Sequence, residues 1–292
     1  IKNPHSRFKM FQSLSKRPML SLGITFNTYS GDQELERILP MDMVPRVIGH
    51  SEWDSVSAGL VQRMAALNAF LADVYSDQHI IHDGVIPRED IESRKGFHPQ
   101  CMGLKPTHDI WCHIGGIDLI RDEHGEYVVL EDNLRCPSGV SYVLENREIM
   151  KRLFSQLMSQ SSIAPVSQYP SALRQIMEDV APGGQKTCAV LTPGIYNSAY
   201  FEHSFLAREM GIELVQSNDL VVKDDYLMMK TTSGLVPIDS LYRRVDDDFL
   251  DPTVFRSDSM LGVPGLFDVV KKGNISLLNA IGTGVADDKL IY

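Results

Sequence analysis

The sequence predicts an α/β protein, and three observations carry that reading. Residues 51–75 place Leu60, Met64, Leu67, Leu71 and Val74 at intervals of three and four, which draws one apolar stripe along a helix. Residues 187–215 run from a short apolar segment through a helical pattern stopped by Gly211 to a second apolar segment, the order of a right-handed βαβ unit. Residues 118–130 place two apolar runs on either side of a polar turn, the pattern of a hairpin.

Composition sets the class. The chain has 292 residues, enough for two domains or one large α/β domain, and its 43% hydrophobic and 23% charged content is ordinary for a globular protein. A net charge of −10 argues against general nucleic-acid binding, which needs positive potential over the phosphates, but leaves room for a local basic pocket. No apolar run approaches the roughly 18 residues of a membrane span. Lys2, Arg7, Lys9, Lys16 and Arg17 precede no apolar core with a cleavage site, so no signal peptide is read and a cytoplasmic protein is expected. Cys101, Cys112, Cys136 and Cys188 form no CxxC pair, as expected of reduced thiols.

In order, residues 1–22 read as irregular or partly helical, and Gly23–Tyr29 alternates as a short strand. The long helix follows, with Ser51 and Asp54 at its start and Arg63 on its polar face, where it reads as solvated. His79 and His82 form an HxxH pair without a third donor at ligand spacing, so no zinc site is read there. Asp90–Gly103 is a surface helix or loop, and Asp109–Ile114 leads through Gly115-Gly116 into the hairpin. Ser141–Gln160 reads as one helix, and the Ser-, Pro- and Gly-rich stretch 161–185 as a linker with a short helix at Ser171–Val180. Thr187–Leu191, Ser198–Met210 and Ile212–Val215 form the βαβ unit, which lacks GxGxxG. Tyr196, Asn197, Glu202 and His203 lie near its first turn, where Asn197 and Ser198 suit helix capping. Asp219–Val222 begins a further strand, Val236–Tyr242 is another, and Ile275–Asn279 is the last.

The chemistry concentrates at 118–139, DLIRDEHGEYVVLEDNLRCPSG. With His124-Gly125 as the two central residues of a type I′ turn, opposed positions sum to 249 and Asp118 faces Glu131. Asn133 then projects to the face of Glu131, giving a patch of carboxylate and amide oxygens of the kind that holds Mg²⁺ beside nucleotide phosphates. The same residues also fit the solvent face of an ordinary hairpin. Glu131 and Asn133, however, interrupt an apolar run, and Arg135, Pro137, Ser138 and Gly139 follow at once. That turn opens a helix, whose free N–H groups suit an anion. Arg243 and Arg244 precede Asp246, Asp247 and Asp248, a charge run that by itself reads as a solvated loop.

These segments resemble the circularly permuted ATP-grasp family, type 2, relatives of glutathionylspermidine synthetase and other carboxylate–amine ligases. The resemblance rests on GITFNTY (23–29), GLVQRMAALNAFLADVY (59–75), VLEDNLRCPSGVSYVLENR (129–147), LTPGIYNSAYFEHSFLA (191–207), LYRRVDDDFLDP (241–252) and NAIGTGVADDKLIY (279–292). It implies a circularly permuted ATP-grasp fold with a Rossmann-like pre-ATP-grasp domain. Residues 1–160 would carry the N-terminal helices and the metal-binding hairpin, 161–185 a linker, 186–275 the substrate domain, and 276–292 the start of the nucleotide-binding half. It implies Asp118, Glu131 and Asn133 as ligands of the magnesium of Mg·ATP and Lys289 as a nucleotide contact. Ser138 and Gly139 complete the expected nucleotide site. Arg135 and one of Arg243 and Arg244, which one being open, are expected to stabilise developing charge. The implied activity is ATP-dependent amide formation between a small-molecule or peptide carboxylate and an amine, through an acyl phosphate. The start at Ile1 and the stop at Tyr292 read as cuts, since the family continues beyond that position with a lysine, a glycine-rich loop and the adenine pocket. Two other classes stand beside it: an inactive ATP-grasp-like module that binds a peptide or protein, and a Cys–His amidase with Cys136 as nucleophile and His108 or His113 as base.

Overall fold

A computed structural model describes residue 19, residues 25–30 and 33–38 as backbone, residues 41–42 and residues 44–291. Its strands are β1 (Thr25–Ser30), β2 (Gln33–Ile38), β3 (Gly116–Arg121), β4 (Tyr127–Asn133), β5 (Cys188–Leu191), β6 (Glu213–Val215), β7 (Leu220–Lys223), β8 (Tyr226–Thr231), β9 (Gly234–Pro237), β10 (Ser240–Arg243) and β11 (Ser276–Leu278). Its helices are α1 (His50–Val74), α2 (His79–His82), α3 (Arg88–Glu92), α4 (Val140–Leu153), α5 (Ser155–Gln160), α6 (Tyr169–Val180), α7 (Tyr200–Met210), α8 (Asp247–Leu250) and α9 (Leu266–Lys271). The expectations for residues 1–18 and 20–22, and for Gly23 and Ile24 of the first strand, lie outside the described residues. No helix among the described residues is long and apolar enough to cross a membrane.

The chain divides into two compact units. The first comprises residues 1–47, 138–173 and 193–211. In it β1 and β2 pair antiparallel, and α4 packs against α7 through Tyr142, Phe201 and Phe205, with ring centroids 5.6 and 5.8 Å apart. Offset aromatic contacts of this kind contribute beyond simple area burial. The single helix expected over 141–160 is two, because Phe154 leaves the helical region (φ −122°, ψ 39°). The apolar spacing runs on across the break, which is why the sequence does not show it.

The second unit comprises residues 48–137, 174–192 and 212–292. Its main sheet is parallel in the order β11-β10-β5-β6. Every residue of β5, β10 and β11 is buried, and their runs CAVL, SLYR and SLL show no polar alternation, as parallel strands covered on both faces require. The strand expected over 236–242 is also two. Asp239 turns away between β9 and β10, donating its N–H to Thr187 O at 2.9 Å and accepting Thr187 N–H on Oδ2 at 2.9 Å, so β9 joins the antiparallel sheet β7-β8-β9 while β10 enters the parallel one.

Helix α1 buries Leu67, Leu71 and Val74, the stripe read from the sequence. Beyond its end Tyr75 stacks between Phe97 and Trp111 at 5.4 and 4.7 Å. The Tyr75 hydroxyl donates to Gly282 O at 2.9 Å and accepts His98 N–H at 3.2 Å. Gly282 has φ +95°, and a Cβ there would lie 2.6 Å from that hydroxyl. The stripe and this polar tie together fix α1 in the second unit's core.

Candidate functional site

The hairpin β3–β4 has two registers. Near the turn, Leu119 faces Val129, Ile120 faces Val128 and Arg121 faces Tyr127; beyond it Asp118 faces Glu131, Ile117 faces Asp132 and Gly116 faces Asn133. Leu130 is therefore a bulged residue. The turn is not the expected two-residue one. Asp122 accepts Gly125 N–H on its carbonyl at 3.1 Å and donates its N–H to Glu126 O at 3.0 Å, with Gly125 at φ +85°, which makes a three-residue loop over 123–125. That loop shifts the register by one, and the bulge shifts it back. The Asp118–Glu131 pairing holds because the two departures cancel.

The bulge also sorts the faces. Leu119, Tyr127 and Val129 line a cleft of about 650 Å³ against α1, and past the bulge Asp132 takes over that side. Asp132 is fully buried and accepts Nε of Arg63 at 2.9 Å and Nη2 at 2.5 Å. The solvated reading of Arg63 is thus corrected: it is the partner of a buried carboxylate supplied by a strand 69 residues away. The other face carries Asp118 and Glu131 together, with Asn133 donating from Nδ2 to Gly116 O at 3.1 Å and also hydrogen-bonded to Glu131.

Electrostatics set the two carboxylates apart. Asp118 is raised above its usual range by partial desolvation, by the charge of Glu131 and by a hydrogen bond with it. Glu131 is lowered, first by its hydrogen bond to Lys289, whose Nζ stands 2.7 Å from Oε2, and then by the Lys289 charge. The two share a site in which their neighbours push the two carboxyls in opposite directions. Among the described residues no group of three or more His, Cys, Asp and Glu side chains is placed to hold a metal ion; the patch offers two carboxylates and an amide.

After β4 the chain is clamped along 134–137. Leu134 O accepts Asn279 Nδ2 at 2.6 Å and Thr283 Oγ1 at 3.0 Å, while Leu134 N–H donates to Asp287 Oδ1 at 2.6 Å. Arg135 pairs with Asp287 at 2.8 Å and reaches Asp246 at 3.7 Å. Arg243 is fully buried. It donates to the carbonyls of Asn279, Val245 and Ala280 at 3.0 Å each and pairs with Asp247 at 2.6 Å. Arg244 donates to Pro137 O at 2.6 Å and to Tyr242 Oη at 3.0 Å. Both arginines brace backbone, and Arg135 lines a cleft with Asp246 and Asp287. Cys136 lies 3.5 Å from Arg243 Nη1, and burial pushes its thiol up, the reverse of an activated nucleophile.

In the first unit, the turn that opens α4 is already filled. Glu202, fully buried on α7, accepts Ser138 Oγ–H at 2.8 Å, Gly139 N–H at 2.7 Å, Ser141 N–H at 3.0 Å and Ser141 Oγ–H at 2.8 Å. The anion at this helix start is a side chain of the protein itself. Asn197 Oδ1 accepts Ala199 N–H at 2.9 Å in a local turn; the expected side-chain cap is not made, since α7 begins after Ala199 without one.

Several residues that shape the site carry no local signal. Asn279 accepts His113 and Ile114 N–H at 2.8 and 3.0 Å and donates to Ile114 O and Leu134 O, tying the end of β11 to both ends of the hairpin. Asp247 accepts Gly282 N–H at 3.0 Å and lies 3.5 Å from His98; Arg243 and His98 outweigh burial and hold it low. The run of three aspartates was the one available hint.

A four-stranded parallel sheet, three small antiparallel sheets, a long amphipathic helix and a hairpin with paired carboxylates make up the described α/β architecture, and comparison with known proteins gives its family. The family model for circularly permuted ATP-grasp type 2 matches residues 45–292, and the chain is a member of that family with its fold. It is 55% identical over 276 residues to an uncharacterized protein of Synechocystis sp., covering 94% of this chain and 57% of that protein. An uncharacterized protein of Mycobacterium tuberculosis is 50% identical over 278 residues, 94% of this chain and 50% of that one. The chain therefore spans about half the length of these curated relatives. A Frankia alni protein provisionally named glutamate–cysteine ligase 2-3 is 38% identical over 274 residues, 92% of this chain but 31% of its own. Among solved structures, a glutathione synthetase-like effector of Globodera pallida superposes with a TM-score of 0.59 at 12% identity, over 98% of this chain and 64% of that one, a likeness of fold.

Proposed function

We propose that the protein is an ATP-dependent carboxylate–amine ligase, or the part of one that carries its metal-binding hairpin. Membership of the ATP-grasp family and a relative bearing a ligase name support the class. The observation that carries the reading to these residues is the Asp118–Glu131 pair facing one way beside Asn133 and Lys289.

The donor set fits magnesium. Asp118, Glu131 and Asn133 offer oxygens alone, and the raised Asp118 marks a carboxylate that a second positive charge would relieve. When bound, the ion neutralises phosphate charge and orients the γ-phosphoryl group. In the reaction proposed, a substrate carboxylate oxygen bonds to the γ-phosphorus as the bond to ADP breaks. The amine nitrogen then bonds to the acyl carbon, phosphate leaves, and the amine gives up a proton. The chain's own part is positioning and charge. Lys289 supplies a cation at the patch and Arg135 one beside Asp287, while Arg244 holds the 136–137 backbone that follows Arg135. The test is trapping: Mg·ATP, a panel of carboxylates and hydroxylamine should yield hydroxamate and ADP in equal amounts. ADP without hydroxamate across the panel would reject the acyl-phosphate route.

One observation favours a second reading, a peptide- or protein-binding module without turnover: Glu202 already takes the donors of Ser138, Gly139 and Ser141. A protein that binds no Mg·ATP in any form would move the function there.

A further inference from the structure

A cleft of about 440 Å³ lies wholly within the second unit, at the C-terminal ends of β10 and β11. Its walls come from residues 93–98, from Asp246–Phe249 after β10, from Gly284, Asp287 and Asp288 after β11, and from Arg135. Gly96 and Gly284 bring two backbones so close at its floor that a Cβ on Gly96 would overlap the Gly284 carbonyl group. In parallel α/β sheets ligands bind beyond the carboxyl ends of the strands.

Most charges here are matched internally. Arg135 takes Asp287 and Asp246, Arg94 approaches Asp288 at 3.8 Å, and Arg243 takes Asp247. Asp247 is buried and keeps Oδ1 without a hydrogen bond of good geometry, although Arg243 Nη2 is 2.6 Å away. Two exposed groups on different walls are left over: among the described residues, Lys95 has no ion-pair partner and Asp248 no cation within ion-pair distance. Arg256, the cation whose field Asp248 feels, is bound to Asp258 at 2.6 Å. The residual pattern is one anion and one cation facing a common polar cavity. A simple cation would meet Lys95, and a simple anion would meet the aspartates. A zwitterion satisfies both.

We propose that this cleft binds a zwitterionic amine, an α-amino acid or short peptide, with its ammonium at Asp248 and its carboxylate at Lys95. This rests on the ligase reading for its meaning, as the seat of the amine substrate, but not for its test. Arg135 and Asp287, which line the cleft and pair with each other, belong to the 131–135 and 287–289 segments that also carry Glu131 and Lys289, so the cleft and the proposed site of carboxylate activation share these two segments.

Binding is measured calorimetrically without nucleotide, using L-alanine, L-glutamate, L-lysine and glycylglycine as probes. At least one should bind saturably in the millimolar range. N-acetylation of the probe or Asp248→Asn should weaken it tenfold or more, and C-amidation or Lys95→Gln likewise, with an unchanged thermal midpoint in both variants. No saturable binding of any of the four, or binding indifferent to both variants, overturns the proposal. Because nucleotide is absent, probe binding by a protein that fails the hydroxamate test would sink the ligase reading and leave the cleft standing; the reverse pattern would do the opposite.

Discussion

Lys289 Nζ stands 2.7 Å from Glu131 Oε2, and Glu131 faces Asp118 across the hairpin. One ammonium against two carboxylates leaves the patch net negative, with Asp118 the group that carries the strain of it.

Asp118→Asn is the first consequence. Because the folded-state value of Asp118 is raised, the native state holds its proton more tightly than the unfolded chain does. Its carboxylate is therefore a liability above that value, relieved as pH falls through it. At pH 7 the variant should match or exceed the parent in stability, within about 0.5 kcal/mol for so exposed a position, while losing Mg²⁺-dependent nucleotide binding. Thermal melts at pH 7 and pH 4 check it: a variant less stable at pH 7 contradicts the account.

Arg63→Ala should behave in the opposite way. It removes the bidentate Arg63 partner of the buried Asp132 carboxylate, a loss of about 3–5 kcal/mol, with the Arg63→Ala, Asp132→Ala double variant recovering part of it. Urea denaturation of the cycle measures the coupling, and independent, additive effects would dismiss the pair.

Glu202→Ala removes the acceptor of two backbone N–H groups at the start of α4, one of them buried at Ser141. The expected loss is about 2–4 kcal/mol. Inorganic phosphate at tens of millimolar should restore part of the melting temperature in the variant and not in the parent. Equal response of the two proteins would show that the turn does not accept an anion in place of Glu202.

His113 gives a pH signature. Burial first, and the neighbouring His108 charge second, lower it from 6.5 to about 4, and neither ring nitrogen has a hydrogen-bond partner among the described residues. A His kept neutral by the fold contributes stability that is whole above its unfolded value of 6.5 and is lost as pH falls towards 4. Across that window the loss from this residue should reach roughly 3 kcal/mol at most, and His113→Phe should flatten it. Denaturation curves at pH 7, 5.5 and 4 decide; parallel profiles would assign the acid sensitivity elsewhere.

How much of this was legible in the sequence depends on the range of the interaction. The stripe of α1 and the parallel βαβ strands are local periodicities, and they were read to within two residues. The facing of Asp118 and Glu131 was read correctly from a wrong turn, because neither the three-residue loop nor the bulge at Leu130 interrupts the alternation of residue types. What was missed is long-range: Arg63 finds Asp132, Glu202 finds the 138–141 turn, and Asn279 finds two backbone segments, each across more than 60 residues. Arg243 and Arg244 looked like a solvated run because their partners are main-chain carbonyls, which every sequence offers and none advertises.

The central claim is that Asp118, Glu131 and Asn133 hold the magnesium of a bound nucleotide, and calorimetric titration of Mg·ATP tests it most directly. It would be run on this chain and on a version extended to the length of its relatives, each with and without Glu131→Gln. The account predicts saturable, magnesium-dependent binding by the extended protein, lost at least tenfold in the variant while its thermal midpoint holds. Undiminished binding in Glu131→Gln, or none by either form of the parent, would contradict it.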